Sequence, residues 1–119
     1  MCDSLGKNIV CLRIRVKVFA FLVMACLAVG ANAAPDKARQ QYLINLLSQD
    51  CGSCHGITLK GGLGAALLPE NLRYKSDQFL IKTILNGRSG TAMPPWKQFL
   101  TEDDADWLVK CLRRACFNN

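Results

Sequence analysis

The feature that most constrains this chain is a five-residue run near its middle, Cys51-Gly-Ser-Cys-His55. Both thiols fall on one helical turn, and the histidine beside them is the only histidine in the 119 residues. Thiolates and imidazoles are the side chains that most often bind transition metals. The fold of this chain is therefore expected to be organised around the group that these residues hold.

The spacing C-x-x-C-H is that of a c-type haem attachment site. In that chemistry Cys51 and Cys54 each add to a haem vinyl group, and His55 presents its imidazole to the iron. Three alternatives remain open at this point. They are a thioredoxin-type dithiol, which needs a βαβ context, a zinc site that adds Cys111 and Cys116, and a strained Cys51–Cys54 disulfide. We predict one covalently bound haem c.

Residues 1–33 have the pattern of a cleaved secretory signal peptide. Four cations precede an uncharged apolar run over residues 18–29, and Ala31-Asn-Ala33 supplies a cleavage site of small residues. A run of this length is too short to span a bilayer, which takes about 20 residues. Cleavage leaves a domain of residues 34–119 in the periplasm, with no stable membrane insertion. The alternatives are an uncleaved anchor and lipidation at Cys26.

The second axial ligand is predicted from what the signal peptide leaves behind. A single histidine excludes bis-histidine ligation within one chain. Met1 and Met24 depart with the signal peptide, so Met93 is the one methionine left, and Pro94 and Pro95 stiffen the segment around it. A thioether ligand raises the reduction potential of a His-ligated iron. The alternatives are that Met93 only fills space, or that the sixth site is empty or holds lysine or water.

Helical periodicity predicts an all-α domain with three amphipathic helices. Each begins at a residue whose side chain can cap it: Asp36, Ser76 or Thr101. The first is expected to end at Asp50 and the second at Asn86-Gly87, while Arg113 and Arg114 fall in the last turn of the third. The predicted apolar faces comprise Tyr42, Leu43, Leu46 and Leu47; Phe79, Leu80, Ile84 and Leu85; and Trp107, Leu108, Cys111 and Leu112.

Glycine- and proline-rich loops over residues 56–68 and 87–97 separate these helices, and no segment alternates with the period of a strand. Three short helices bury only a small hydrophobic core, so a covalent cross-link or a bound cofactor is expected to stabilise the domain. In an oxidising compartment Cys111 and Cys116 either form a disulfide or remain as one buried and one exposed thiol. The spacing leaves both states open.

Charge narrows the range of partners. The whole chain has 15 Lys+Arg and 9 Asp+Glu, and removing the first 33 residues leaves a weak positive balance. Such a balance permits docking to acidic protein surfaces. It forms no basic stripe, so nucleic acid is not an expected partner.

The run Gln49–Gly64, the run Ile84–Trp96 and a closing amphipathic helix resemble the small class I mono-haem cytochromes c. The resemblance covers nearly all of residues 36–115. It is greatest to the small periplasmic cytochrome encoded with the haem-c/haem-d nitrite reductase of denitrifying bacteria. It implies three to four helices wrapped around one covalently attached haem. In many class I cytochromes a Gly-Pro pair also presents a carbonyl to the axial histidine, and Gly64-Ala65 stands at that place here.

The resemblance implies a non-enzymatic carrier of single electrons, with redox protein partners. Its electrons would pass to or within the nitrite reductase system, or serve the maturation of the haem d of that enzyme. The alternatives are a haem d chaperone and a gas-binding haem protein. Candidate steering charges around the haem edge are Lys60, Arg73, Lys75, Lys82, Arg88 and Lys97.

Overall fold

The computed structural model describes residues 34–118, and no strand occurs in that part of the chain. The elements in order are α1 (Lys37–Leu46), a π-helical turn (Leu47–Cys51), α2 (Gly52–His55), α3 (Pro69–Leu72), α4 (Asp77–Asn86), α5 (Glu102–Arg113) and a final 3₁₀ turn (Cys116–Asn118). The predicted all-α class is confirmed. None of the described helices is long and apolar enough to cross a membrane. The predicted signal peptide lies outside the described residues.

The predicted helix starts are confirmed by their caps. The Asp36 carboxylate accepts a hydrogen bond from the amide three residues on, at 2.8 Å. Ser76 caps α4 in the same way, accepting at 3.2 Å. Thr101 and Asp104 form a reciprocal capping box at the start of α5, with N–H···O distances of 3.1 and 2.9 Å. Each such cap stabilises its helix by about 1 kcal/mol.

The predicted end of the first helix at Asp50 is wrong. Regular α-helix ends at Leu46, but the backbone stays helical through the π turn and α2 as far as His55. A π turn takes one extra residue per turn, which rotates the following segment relative to α1. The Cys51–His55 motif is therefore continuous with the first helix. The short helix α3 was not expected, and it begins with Pro69 at a position where the missing N–H costs nothing.

The core lies along α5, which packs mainly against α4 and also contacts α3. α5 contributes five of the buried apolar residues, because its apolar stripe follows the helical period over three turns. The buried apolar residues are Leu43, Leu46, Leu47, Leu59, Leu72, Leu80, Ile81, Leu100, Ala105, Leu108, Val109, Cys111 and Leu112.

Two residues assigned to apolar faces are exposed instead. Tyr42 is 43% exposed and Phe79 is 51% exposed. Each directly precedes a buried leucine, so it lies about 100° around the helix from that leucine and faces outward. Tyr42 is covered by the Arg39 guanidinium, whose Cζ lies 4.5 Å from the ring centroid. That stacking replaces core burial for this ring.

Arg39 joins α1 to the segment that leads into α5. Its guanidinium donates to both carboxylate oxygens of Asp104, at 3.1 and 2.8 Å, and to the Phe99 carbonyl at 2.8 Å. Asp104 is only 4% exposed. The hydrogen bond from Arg39 outweighs burial and lowers the pKa of the Asp104 carboxyl to about 2. The buried carboxylate is therefore charged and paired.

The carboxyl end of α5 is fixed by a guanidinium and a disulfide. Arg113 donates to the Asp77 carboxylate at 2.6 Å and to the carbonyls of Leu72 and Lys75 at 3.3 and 2.5 Å. Cys111 and Cys116 are joined in a disulfide whose Cα atoms lie 5.1 Å apart. Of the two states that the spacing of Cys111 and Cys116 left open, the structure has the disulfide.

Candidate functional site

The two motif cysteines lie on the continuous helical segment that ends at His55, and both are free thiols. Cys54 is exposed, whereas Cys51 is half-buried at the end of the π turn. Burial raises the pKa of the Cys51 thiol to about 11, and the Asp50 carboxylate adds to the shift. Two unpaired sulfur atoms on one turn are thus available for covalent attachment.

The orientation of His55 is set by a single backbone carbonyl. The His55 Nδ1 atom lies 2.6 Å from the Ala65 carbonyl oxygen. Because a carbonyl oxygen can only accept, Nδ1 must carry the hydrogen, and in the neutral imidazole Nε2 then keeps its lone pair. The carbonyl expected from the resemblance is present although alanine replaces the proline. This leaves Nε2 as the nitrogen that can bind a metal.

The segment of residues 56–67, here called the histidine loop, folds back over the motif. The Gly61 amide donates to the His55 carbonyl at 2.9 Å, and the Gly64 amide donates to the Cys54 carbonyl at 2.8 Å. A Cβ at Gly64 would lie 2.8 Å from both Nδ1 and Cε1 of His55. Leu59 anchors the loop in the core at 1% exposure. The imidazole is therefore held by contacts with the backbone of its own loop.

Met93 lies in a second segment, residues 87–97, here called the methionine loop. It is half-buried, and its carbonyl accepts from the Arg88 amide at 3.1 Å. The far end of the loop returns to α4, where the amides of Trp96 and Lys97 donate to carbonyls of the last turns at 3.2 and 3.1 Å. A Cβ at Gly87 would lie 2.6 Å from the Met93 carbonyl oxygen, so these two backbone segments are in close contact. Gly87 has a φ of +68°, which favours glycine.

The structure thus groups Cys51, Cys54 and His55 on one helical segment and places Met93 on a separate loop. It also argues against the three alternatives weighed for Cys51 and Cys54. Cys111 and Cys116 are bonded to each other and cannot supply thiolates to zinc. A thioredoxin-type βαβ unit has no strand to use within residues 34–118. Cys51 and Cys54 are not joined to each other.

The donor atoms that remain fit haem c. Covalent attachment needs two free thiols, and an axial position needs a neutral imidazole nitrogen with an open lone pair. The Ala65 carbonyl supplies the hydrogen-bond partner that fixes this tautomer. In the described part of the chain, no group of three or more His, Cys, Asp or Glu side chains is arranged to hold a metal ion by itself.

The segments that carry these residues contain more basic than acidic side chains. Between residues 51 and 100 the only acids are Glu70 and Asp77, and Asp77 is paired with Arg113. The predicted steering charges, Lys60, Arg73, Lys75, Lys82, Arg88 and Lys97, are all exposed.

Comparisons with known proteins agree with this chemistry. Residues 31–111 match the family model described as cytochrome c oxidase, cbb3-type, subunit III. Cytochrome c55X of Pseudomonas aeruginosa is 56% identical over 89 residues, which are 74% of this chain and 75% of that protein. Cytochrome c55X of Paracoccus denitrificans is 43% identical over 96 residues, covering 81% and 93%. The solved structure of the c-type cytochrome NirC aligns with a TM-score of 0.68 at 54% identity, covering 70% of this chain and 98% of that chain.

Proposed function

Because this chain belongs to the c-type cytochrome family, we propose that it is a carrier of single electrons with four haem-binding residues. Cys51 and Cys54 form the thioether bonds, His55 binds the iron through Nε2, and Met93 binds it through its thioether sulfur. When bound, haem c exchanges one electron between its ferric and ferrous states. The observation that carries the proposal is the 2.6 Å contact between His55 Nδ1 and the Ala65 carbonyl, beside two free thiols.

The two proposed iron ligands, His55 and Met93, favour electron transfer over catalysis. The Ala65 carbonyl holds the Nδ1 hydrogen of His55, which fixes the ring and strengthens Nε2 as a donor. With His55 and Met93 as ligands, no position is left for a substrate. His55 is also the only histidine in the chain, so no second imidazole can act as the acid or base of a peroxidase-like reaction. The protein therefore transfers electrons and catalyses no reaction of its own.

The attachment claim is tested by replacing the motif thiols. Cys51→Ala/Cys54→Ala is expected to carry no haem that survives denaturation, measured by intact mass and by haem staining after denaturing electrophoresis. Cys111→Ala/Cys116→Ala is the matched control, because it makes the same two replacements at the disulfide alone. It should keep covalent haem. Covalent haem on the first variant, or its loss from the control alone, would contradict the assignment.

The proposal includes export to the periplasm, supported by the charged start, the short apolar run and the small residues before Ala34. Intact mass of the purified exported protein should correspond to a chain beginning at Ala34 with one haem attached. A mass that includes an acyl group at Cys26 would replace this proposal with a lipid-anchored protein.

The proposed partner is the haem-c/haem-d nitrite reductase, supported by the resemblance of the two haem-binding runs and by the exposed cations around them. Reduced protein should deliver electrons to purified nitrite reductase at a rate that falls with ionic strength. Lys60→Glu should slow this transfer several-fold, whereas Lys37→Glu on α1, outside the steering set, should not. Assays of the reductase with and without haem d separate a carrier from a haem d chaperone, which would act only while haem d is being loaded.

A further inference from the structure

The backbone of Met93 is held at both of its polar atoms by the turn that precedes it. Its carbonyl accepts from the Arg88 amide at 3.1 Å, and its amide donates to Thr91 Oγ1 at 3.3 Å. The Thr91 amide donates to the Arg88 carbonyl at 3.1 Å, which closes a four-residue turn. Gly90, the third residue of this turn, has a φ of +75°, as a type II turn requires. The turn and the methionine form one hydrogen-bonded ring.

One side chain joins the two sides of this ring. The Thr91 hydroxyl donates to the Arg88 carbonyl at 2.8 Å while it accepts from the Met93 amide. A hydroxyl can do both at once, because it has one donor hydrogen and two acceptor lone pairs. The other bonds of the ring described above run between backbone atoms. The hydroxyl is therefore the part of the ring that a substitution can remove without changing the backbone.

We infer that Thr91 is a positioning residue that holds Met93 in place as the sixth ligand of the haem iron. The inference rests on the proposed ligation by Met93. It adds Thr91, which is not among the four proposed haem-binding residues. Thr91 and Ala92 are exposed, so the loop has little burial to hold it closed and depends on its hydrogen bonds. Without the hydroxyl, the Met93 amide turns to water and the loop opens more often.

The consequence is measurable as ligand exchange on the ferric holoprotein. External cyanide can bind only when Met93 has left, so its rate of binding reports how often the loop opens. When the hydroxyl is removed, the Arg88 carbonyl still accepts from the Thr91 amide, so the main loss is the bond from the Met93 amide. Loss of that one neutral hydrogen bond should raise the rate of cyanide binding by about 5-fold. The sulfur-to-iron charge-transfer band should weaken, and the reduction potential should fall toward that of Met93→Ala.

Three variants of the holoprotein isolate the hydroxyl. Thr91→Val removes it and keeps the β-branched shape, whereas Thr91→Ser keeps it and removes the methyl group. Ser89→Ala removes an exposed hydroxyl from the same turn. Thr91→Val should bind cyanide about 5-fold faster than wild type, while the other two should stay within about 2-fold of it. Wild-type behaviour of Thr91→Val, or equal acceleration by Thr91→Ser or Ser89→Ala, would overturn the inference.

The same set separates this inference from the proposed function. If Met93→Ala binds cyanide far faster than wild type while Thr91→Val does not, Met93 is a ligand and the role of Thr91 is wrong. If wild type and Met93→Ala bind cyanide equally fast and neither has the charge-transfer band, Met93 is not a ligand, and both proposals are overturned.

A second measurement needs no variant that must mature. Hydrogen exchange of the Met93 amide in the wild-type holoprotein should be slower than in an unstructured peptide, because Thr91 Oγ1 accepts that hydrogen. Exchange at the rate of the free peptide would contradict the inference.

Discussion

The histidine loop and the methionine loop hold their candidate ligands by different means. In the histidine loop, backbone hydrogen bonds close the chain over the motif, Leu59 is buried, and a Cβ at Gly64 would collide with the imidazole. In the methionine loop, the residues around Met93 are largely exposed and a threonine hydroxyl completes the ring of hydrogen bonds. One ligand is fixed by close packing, and the other by bonds that water can replace.

This difference indicates a division of tasks between the two loops. The tautomer and ring position of His55 follow from backbone atoms of its own loop. The methionine side is held by bonds at the surface, where each is worth only about 1 kcal/mol. Substitutions in the histidine loop should therefore act mainly by steric collision. Substitutions in the methionine loop should act mainly by removing hydrogen bonds.

The largest effect is expected from Met93→Ala, which removes the ligand of the weaker loop. The sixth site should open, so that carbon monoxide binds the ferrous protein quickly, and the reduction potential should fall because the thioether favours ferrous iron. Met93→His should keep six ligands while also lowering the potential. Stopped-flow binding and potentiometry measure these changes. A spectrum and potential unchanged in Met93→Ala would move gas-binding chemistry ahead of electron transfer.

The next effect concerns space in the histidine loop. Gly64→Ala places a methyl group within 2.8 Å of the His55 ring, so the loop must shift and stability should fall by about 1 to 3 kcal/mol. Gly52→Ala is the control inside the motif, because its Cβ meets only ordinary contacts at 3.6 Å and its φ is −60°. Denaturant unfolding of the two holoproteins measures the difference. Equal stability would mean that the imidazole is not confined as described.

Those parts of the molecule that depend on neighbours in sequence could be predicted. The caps at Asp36, Ser76 and Thr101 are local, since each accepts from an amide within three residues. The haem motif is likewise local, because both thiols and the imidazole needed for attachment lie within five consecutive residues. The carbonyl facing His55 followed from resemblance, and it needed no particular side chain to be present.

Contacts between distant residues could not be predicted in the same way. Arg39 and Asp104 are 65 positions apart, and no pattern in one segment indicates a partner in the other. Thr91 has no motif of its own, because its role depends on the folded turn around Gly90. Phe79 was assigned to the core because periodicity alone does not tell which of several adjacent apolar residues faces inward.

Acid should weaken the tie between the two regions, since Arg39 joins the helix that leads to the motif with the segment after the methionine loop. The Asp104 carboxyl has a pKa of about 2 in the folded protein, below the value of about 3.9 expected when unfolded. Its stabilising contribution, about 2 kcal/mol, is thus complete above pH 4 and is lost as the pH falls toward 2. Unfolding free energies of wild type and Asp104→Asn should converge over that range. A constant difference would contradict the linkage.

The smallest expected effects come from the disulfide, which lies outside both loops. Closing a loop of sequence separation 5 contributes about 2 kcal/mol in the chain-entropy model, and engineered cases often deliver less. Cys111→Ala/Cys116→Ala, which places no hydroxyl in the buried site of Cys111, should therefore lower the unfolding free energy by about that amount. Cyanide binding and reduction potential should match wild type. A change in either would show that the end of α5 acts on a ligand loop.

This chain is proposed to hold one covalent haem, with His55 and Met93 as the ligands of its iron. The most direct test is the wild-type protein purified after export, examined by intact mass and by absorption in both oxidation states. The purified protein should have a mass increased by one haem, a sulfur-to-iron charge-transfer band in its ferric state, and no uptake of carbon monoxide in its ferrous state. A haem-free mass, or covalent haem without that band and with rapid carbon monoxide binding, would contradict this proposal.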